Sequence, residues 1–343
     1  MNLNIERDSL NPSLPFPMPR VSSPASLFIT LSFLIIIHSE GAESPPSGDA
    51  VIRAPYGASE IVITTTARLA GAIHSVTWDG REFIDSADHG RQLQSASAFD
   101  MDVDGNSETF NPTEAGSRDD GAGPRSTSHL LSIDVNGSKL RTLSQMAFWL
   151  APGESSGGKL ARNTTALSHH RLGKEVKIGL PGLPNVIDYA VTFTLPAEEP
   201  HHDAQFEALT GYMPAEFERF WHLNSATSKL EPLAGGPPAE PGPAEQRDPI
   251  AFSTADGSHA MGIVAPDPVP PGTTGPSYGR FRFIPEHVTK WNCVFRVKRA
   301  EGIPSGEYRY HMFVAIGTLA DVEFAMATLA RKPPPSSHAA SKD

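Results

Sequence analysis

The sequence predicts an all-β protein, a large antiparallel β-sandwich completed by one C-terminal helix. Three observations carry that expectation. Among 343 residues there are 32 Pro and 29 Gly, which punctuate the chain too often for long helices. Apolar residues recur at every second position in segment after segment, the period of a strand that buries one face. Only residues 318–331 show helical spacing, and without strand and helix patterns in alternation a parallel α/β sheet is excluded.

Taken in order, the chain opens with an apolar run, Leu27-Phe-Ile-Thr-Leu-Ser-Phe-Leu-Ile-Ile-Ile37, well short of the ~20 residues a membrane-crossing helix needs. Arg20 precedes it and Ser39, Gly41 and Ala42 follow, the layout of a secretory signal peptide over residues 1–42, with Met1 or Met18 as the start. The expected location is secreted or periplasmic, with no integral membrane span once the signal is removed. Residues 43–50 are polar and Pro-containing, a leader expected to be disordered. The formal charge of -11 and the lack of a basic cluster argue against nucleic acid as a partner, because phosphate binding needs concentrated Lys and Arg. The single cysteine, Cys293, rules out a disulfide within the chain, so stability must come from the core.

Residues 60–66 are rich in β-branched side chains, and 72–78 continue as a strand. Asp79-Gly80 tolerates the positive φ of a type I′ turn and leads into 81–84. A second hairpin runs through 129–135, turns at Asn136-Gly137 and returns over 138–150. In 186–195, Ile187, Tyr189, Val191, Phe193 and Leu195 share one face. Strands are also expected over 204–212, 219–223, 259–264, 278–283, 288–297 and 307–316. The Pro/Gly-rich residues 231–249 read as a long surface loop within one domain, since strand patterning resumes at Ile250. Trp291, Cys293, Phe295 and Val297 lie on one face, which makes Cys293 a small core residue. Thr318 and Asp321 have the spacing of a capping box, and Leu319, Val322, Met326 and Leu329 form the helix's apolar stripe. Residues 332–343 form a Pro/Ser tail, leaving 51–331 as the folded domain.

Candidate ligand-binding residues concentrate between Trp78 and Leu131. Arg91, Gln94, Asn111, Glu114, Arg118, Arg125 and His129 supply planar donors and carboxylates that can fork onto vicinal hydroxyls. Trp78, Tyr212, Trp221, Tyr278 and Trp291 are aromatic faces against which a pyranose can lie. Tyr278, Arg280 and Arg282 share one strand face, a cationic strip suited to a uronate. Asp100, Asp102 and Asp104, followed by Gly105, alternate like the ligands of a calcium loop, although the twelfth position is Asn111 rather than Glu. Calcium is the one cofactor suggested. The pairs His169-His170 and His201-His202 invite a metal reading, but neighbours on a strand point to opposite faces and seldom chelate one ion, so they read as solvated loop residues.

Residues 60–84, a strand followed by Ala-Gly-Ala-Ile-His-Ser-Val-Thr-Trp-Asp-Gly-Arg-Glu-Phe-Ile, resemble the first hairpins of galactose-mutarotase-like proteins. The resemblance implies the β-supersandwich that those proteins share with domains of polysaccharide lyases and several glycosidases. It also implies a carbohydrate ligand. The Asn/Arg segment, His-Gly segment and late Glu base of the epimerase branch have no counterpart here, so no catalytic residue is carried over.

The resulting expectation is an exported carbohydrate-active protein with a groove across one sheet. Any chemistry would be proton transfer at a sugar carbon, as in epimerisation or β-elimination. His129 or Glu114 would act as acid or base, with Arg118 or Arg91 stabilising negative charge. The alternative is a non-catalytic carbohydrate-binding or structural module of the envelope.

Overall fold

The computed structural model describes residues 46–87, 92–120, 124–233, 244–265 and 272–331. The expected signal peptide, the C-terminal tail, Arg91 and the middle of the 231–249 loop lie outside the described residues. Among the described residues, nineteen strands form one continuous antiparallel network, whose pairings fold it into two layers. The front layer runs through Ala50–Tyr56, Ser59–Thr66, Ala72–Trp78, Leu93–Phe99, His201–Pro214, Val288–Ile303, Thr273–Phe283 and Ala244–Gln246. The back layer runs through Lys229–Pro232, Arg219–Asn224, Ile250–Ser253, Ala260–Val264, Gly306–Gly317, Leu183–Leu195, Leu167–Leu180, Lys139–Phe148 and His129–Asn136. A two-residue strand, Pro112–Thr113, bonds to both Leu93–Phe99 and Lys139–Phe148 and bridges the layers. Stacked antiparallel sheets of this kind are the all-β sandwich expected from the period-two pattern.

Inward residues of both layers make the core. Phe206 of the front layer meets Phe193 and Tyr310 of the back layer, with ring centroids 5.0 Å and 5.3 Å away. Phe295 stacks on Tyr310 at 4.4 Å. Each such aromatic, fully buried, contributes about 1.5–3 kcal/mol of hydrophobic stabilisation. Cys293 is buried here with Trp291 and Val297.

The two outer faces differ. On the back layer, Leu319–Arg331 forms the helix, started by a reciprocal cap in which Asp321 N donates to Thr318 Oγ1 and Thr318 N donates to Asp321 Oδ2. Its Val322, Met326 and Leu329 pack on Val186, Val264 and Ala315. Gly262 permits the close approach, since a Cβ there would stand 2.3 Å from Met326 Sδ. Among the described residues no helix covers the front layer's outer face, and that face carries polar side chains. No described helix is long and apolar enough to cross a membrane.

The Asp79-Gly80 turn has φ of 49° and 74°, as a type I′ turn requires. Strands beyond those the sequence pattern predicts include Ala50–Tyr56, Leu93–Phe99 and Leu167–Leu180. Leu93–Phe99 reads Leu-Gln-Ser-Ala-Ser-Ala-Phe, poor in β-formers, and is a strand because neighbours cover it on both sides. Part of the leader expected to be disordered is held: Gly48 O accepts from Thr65 Oγ1 at 2.7 Å and Asp49 Oδ1 from Ala67 N at 2.9 Å. The described ends of the long 231–249 loop are strands, Lys229–Pro232 and Ala244–Gln246, paired to their neighbours.

Candidate functional site

The outer face of the front layer contains a cleft of about 550 Å³. Its floor follows from strand alternation. On Val288–Ile303, Trp291, Cys293 and Phe295 point into the core, so Lys290, Asn292 and Arg296 point out to the cleft. On His201–Pro214, Phe206 points inward while Gln205 and Glu207 face the cleft. A register shift between Glu207 and Leu209 inserts an extra residue. That bulge turns Thr210 to the same side as Glu207, and Thr210 Oγ1 donates to Glu207 Oε2 at 2.8 Å. Ala96 and Ala98 of Leu93–Phe99 supply the depth.

One wall is aromatic. Phe281 and Phe283, two residues apart on Thr273–Phe283, hold their rings 6.0 Å apart and within 6° of parallel. Tyr212 continues the row, 6.4 Å from Phe283 at 19°. Trp149, Asn111 and Gln94 line the cleft elsewhere. Lys290 Nζ lies 4.9 Å from the Phe281 centroid and 5.1 Å from that of Tyr212, where the ring faces attract a cation.

Glu207 and Lys290 form an ion pair of 3.3 Å. Burial disfavours both charges, but mutual attraction outweighs it: the Glu207 carboxyl is held below the usual carboxylate range, and the Lys290 ammonium is held above the usual lysine range. Both are therefore ionised at neutral pH. Arg296 is held by two neighbours that also line the cleft, Nε donating to Gln205 Oε1 at 2.9 Å and Nη2 to Glu245 Oε1 at 2.6 Å.

Gln94, Asn111 and Tyr212, expected from the sequence to bind ligand, meet in this cleft. Others do not. Trp291 and Tyr278 are core residues, each 1% exposed, because they fall on the inward phase of their strands. Arg280 shares Tyr278's phase and donates to Gln246 Oε1 at 3.0 Å, so the expected cationic strip turns away from the cleft and Phe281 and Phe283 take its place. Trp221 lies on the back layer, its Nε1 donating to Ser253 Oγ at 3.0 Å.

The expected proton-transfer trio is not assembled. Glu114 directly follows the bridging strand and turns into the interlayer space. There it pairs with Lys174 Nζ and accepts from Ser95 N at 3.1 Å, with 1% of its side chain exposed. Arg118 pairs with Glu154 at 2.8 Å. His129 is exposed on a back-layer strand opposite Gln145.

The acidic triplet with the spacing of a calcium loop diverges as well. Asp102 pairs with Lys298 at 3.0 Å, and Asp104 Oδ1 caps Asn106 N at 2.9 Å. Asp100 accepts from His201 Nδ1 at 2.8 Å and from His202 N at 2.8 Å. A different group could hold a metal: among the described residues, the ligand atoms of His170, Glu199 and His201 all lie within 4.8 Å of one another. The two imidazoles pull the Glu199 carboxyl down to about 2 against the effect of burial. Adjacent His169 and His202 are exposed while His170 and His201 are buried. Alternation thus sends one member of each His pair inward, the signal that a reading of both pairs as solvated passes over.

The cleft residues that sequence reasoning misses are Gln205, Glu207, Lys290, Asn292, Arg296, Phe281 and Phe283. The signal for them is the polar or aromatic phase complementary to each apolar one, as Lys290, Asn292 and Arg296 complement Trp291, Cys293 and Phe295.

No protein-family model matches the sequence, and no curated protein matches it significantly. Similar solved structures include a protein described as an aldose 1-epimerase from Klebsiella pneumoniae, 12% identical with a TM-score of 0.40, covering 85% of this chain and 96% of that one. A GH36 alpha-galactosidase from Geobacillus stearothermophilus is 9% identical with a TM-score of 0.42, covering 81% of this chain and 42% of that one. A mutant heparan sulfate lyase from Pedobacter heparinus is 8% identical with a TM-score of 0.38, covering 79% and 35%. Likeness of this extent carries no activity over to this chain. What the fold and site define is an all-β sandwich protein with an open, polar and aromatic cleft on a sheet face.

Proposed function

We propose that this chain is an exported carbohydrate-binding protein of the galactose-mutarotase-like supersandwich type, which holds a sugar or uronate chain across the front-layer cleft. The observation that carries the reading is the row of Tyr212, Phe281 and Phe283 beside Gln94, Asn111, Gln205, Asn292 and Arg296 in one cleft. Near-parallel aromatic faces suit the apolar side of a pyranose, and planar amides and a guanidinium suit its hydroxyls and any carboxylate. The resemblance of residues 60–84 to galactose-mutarotase-like proteins supports the same ligand class. The apolar run 27–37 supports export to the periplasm or the exterior. The acidic charge of -11 favours a carbohydrate over nucleic acid as partner.

Glu207 favours a second, catalytic reading. It is an ionised carboxylate facing the cleft with 23% of its side chain exposed, the position a base would take in epimerisation or β-elimination. Its pairing with Lys290 lowers its basicity and makes simple binding the better reading.

Titration of neutral and uronate oligosaccharides, followed by tryptophan fluorescence from Trp149 in the cleft wall, tests the proposal. Saturable quenching is expected, weakened by about fivefold or more in Tyr212→Ala and in Phe283→Ala, because a well-placed stacking contact is worth on the order of 1 kcal/mol or more. Absence of binding across the panel, or binding untouched by both changes, contradicts it. Release of unsaturated uronate ends by the wild type and not by Glu207→Gln would establish the catalytic reading.

A further inference from the structure

We infer that His170, Glu199 and His201 form a binding site for a divalent transition-metal ion with imidazole preference, zinc in the first instance, and that Asp100 orients it. Glu199 Oε2 is 2.9 Å from His170 Nε2 and 3.8 Å from His201 Nε2, and all three ligand atoms lie within 4.8 Å. Zinc–ligand bonds of ~2.0–2.1 Å in a tetrahedron separate neighbouring donors by roughly 3.3 Å, so an ion is accommodated by side-chain shifts on the order of an ångström.

His201 is the independent indication. Its side chain is 6% exposed, and its Nε2 is buried without a hydrogen-bond partner. A carboxylate only accepts, so the 2.8 Å contact to Asp100 places the proton on Nδ1. Deprotonated, as a metal-ligating imidazole must be, the ring presents its Nε2 lone pair on the side of Glu199. An imidazole whose far nitrogen is fixed by a carboxylate is the arrangement that metal-ligating histidines use to set tautomer and ring orientation. A buried ring nitrogen without a partner is rare in folded proteins, and an ion at this point satisfies this one.

The surroundings fit. Phe99 lies 4.4 Å from the His201 ring and 4.8 Å from the His170 ring, and Phe110 lies 5.2 Å and 6.2 Å from them. This apolar collar strengthens ion–ligand attraction. A second cleft of about 470 Å³, lined by Glu199, His201, Asn163 and Thr165, gives an entry path and room for a fourth ligand. Arg162 is the cation facing the group, 3.9 Å from Asp100, against the two carboxylates Asp100 and Glu199. Two imidazoles select a borderline metal rather than calcium, which takes oxygen ligands.

The test uses the full chain, purified without a histidine tag, stripped with a chelator and titrated with Co²⁺. One equivalent is expected to produce a visible d–d band, which Zn²⁺ then abolishes and Ca²⁺ leaves unchanged. His170→Ala and His201→Ala should weaken binding by more than about 100-fold, and Asp100→Asn by about tenfold. His169→Ala and His202→Ala, which alter exposed neighbours, should leave it unchanged. No band in the wild type overturns the inference and depends on no variant's folding. A band that survives His201→Ala, or is lost equally in His169→Ala, overturns it too.

Discussion

Two Glu–Lys pairs lie on opposite sides of the front layer, and the same chemistry serves different ends in each. Glu114 and Lys174 meet between the layers, 1% and 0% exposed. Lys174 falls in the inward phase with Leu172, Val176 and Ile178, and Glu114 also accepts from Ser95 N. One residue along, Gln94 points to the other face. There Glu207 and Lys290 meet at 3.3 Å, 23% and 11% exposed, beneath aromatic rings. The inner pair has no route to a ligand and acts on structure. The outer pair borders the cleft, and mutual attraction holds both of its charges ionised.

The largest expected effect comes from breaking the inner pair. Lys174→Met leaves an uncompensated buried carboxylate and should cost about 3–5 kcal/mol of unfolding free energy, read by denaturant titration. The double change Glu114→Gln with Lys174→Met should recover most of that loss, since replacing both charges removes the unpaired group. If the single variant is as stable as the wild type, the pair is not structural.

Lys290→Met breaks the outer pair. Solvent reaches Glu207, so the expected cost is only about 1 kcal/mol. Oligosaccharide affinity should fall about tenfold or more as the charge under Tyr212 and Phe281 disappears. A stability loss equal to that of Lys174→Met would erase the distinction between the two faces.

The smallest effect is on pH dependence. Glu207 has a lower pKa folded than its ordinary value of 4.5, so the unfolded chain binds its proton first as pH falls. The pair's stabilisation is whole above that value and is lost as pH drops through the lower folded pKa, at no more than about 1.4 kcal/mol for each pH unit between the two values. Lys290→Met should flatten this acid limb relative to the wild type in urea melts at about pH 3–6, the range that brackets the ordinary carboxylate. An unchanged slope would mean that Lys290 does not depress Glu207.

Much of the architecture is legible in the sequence because period-two patterning reports burial directly. Residues 186–195, the Asp79-Gly80 turn and the Thr318–Asp321 cap fall where local rules put them. Leu93–Phe99 escapes because small and polar residues become a strand only when neighbours enclose them, a tertiary effect that propensity does not carry. The site is legible in part. Gln94, Asn111 and Tyr212 reach the cleft, but Trp291, Tyr278 and Arg280 fail by phase, each out of step with Lys290 or Phe281. Glu114 fails because the short bridging strand carries its carboxylate inward, a crossing that no local pattern announces. His170 and His201 come from strands distant in sequence, and their convergence with Glu199 depends on the packing of the layers.

The most direct test pairs Phe281→Ala with Arg282→Ala, neighbours in sequence on opposite faces of one strand, in the same oligosaccharide titration. Loss of binding by Phe281→Ala alone is the predicted result. Equal loss from both, or loss from Arg282→Ala alone, would show that the front-layer cleft is not the ligand-bearing face.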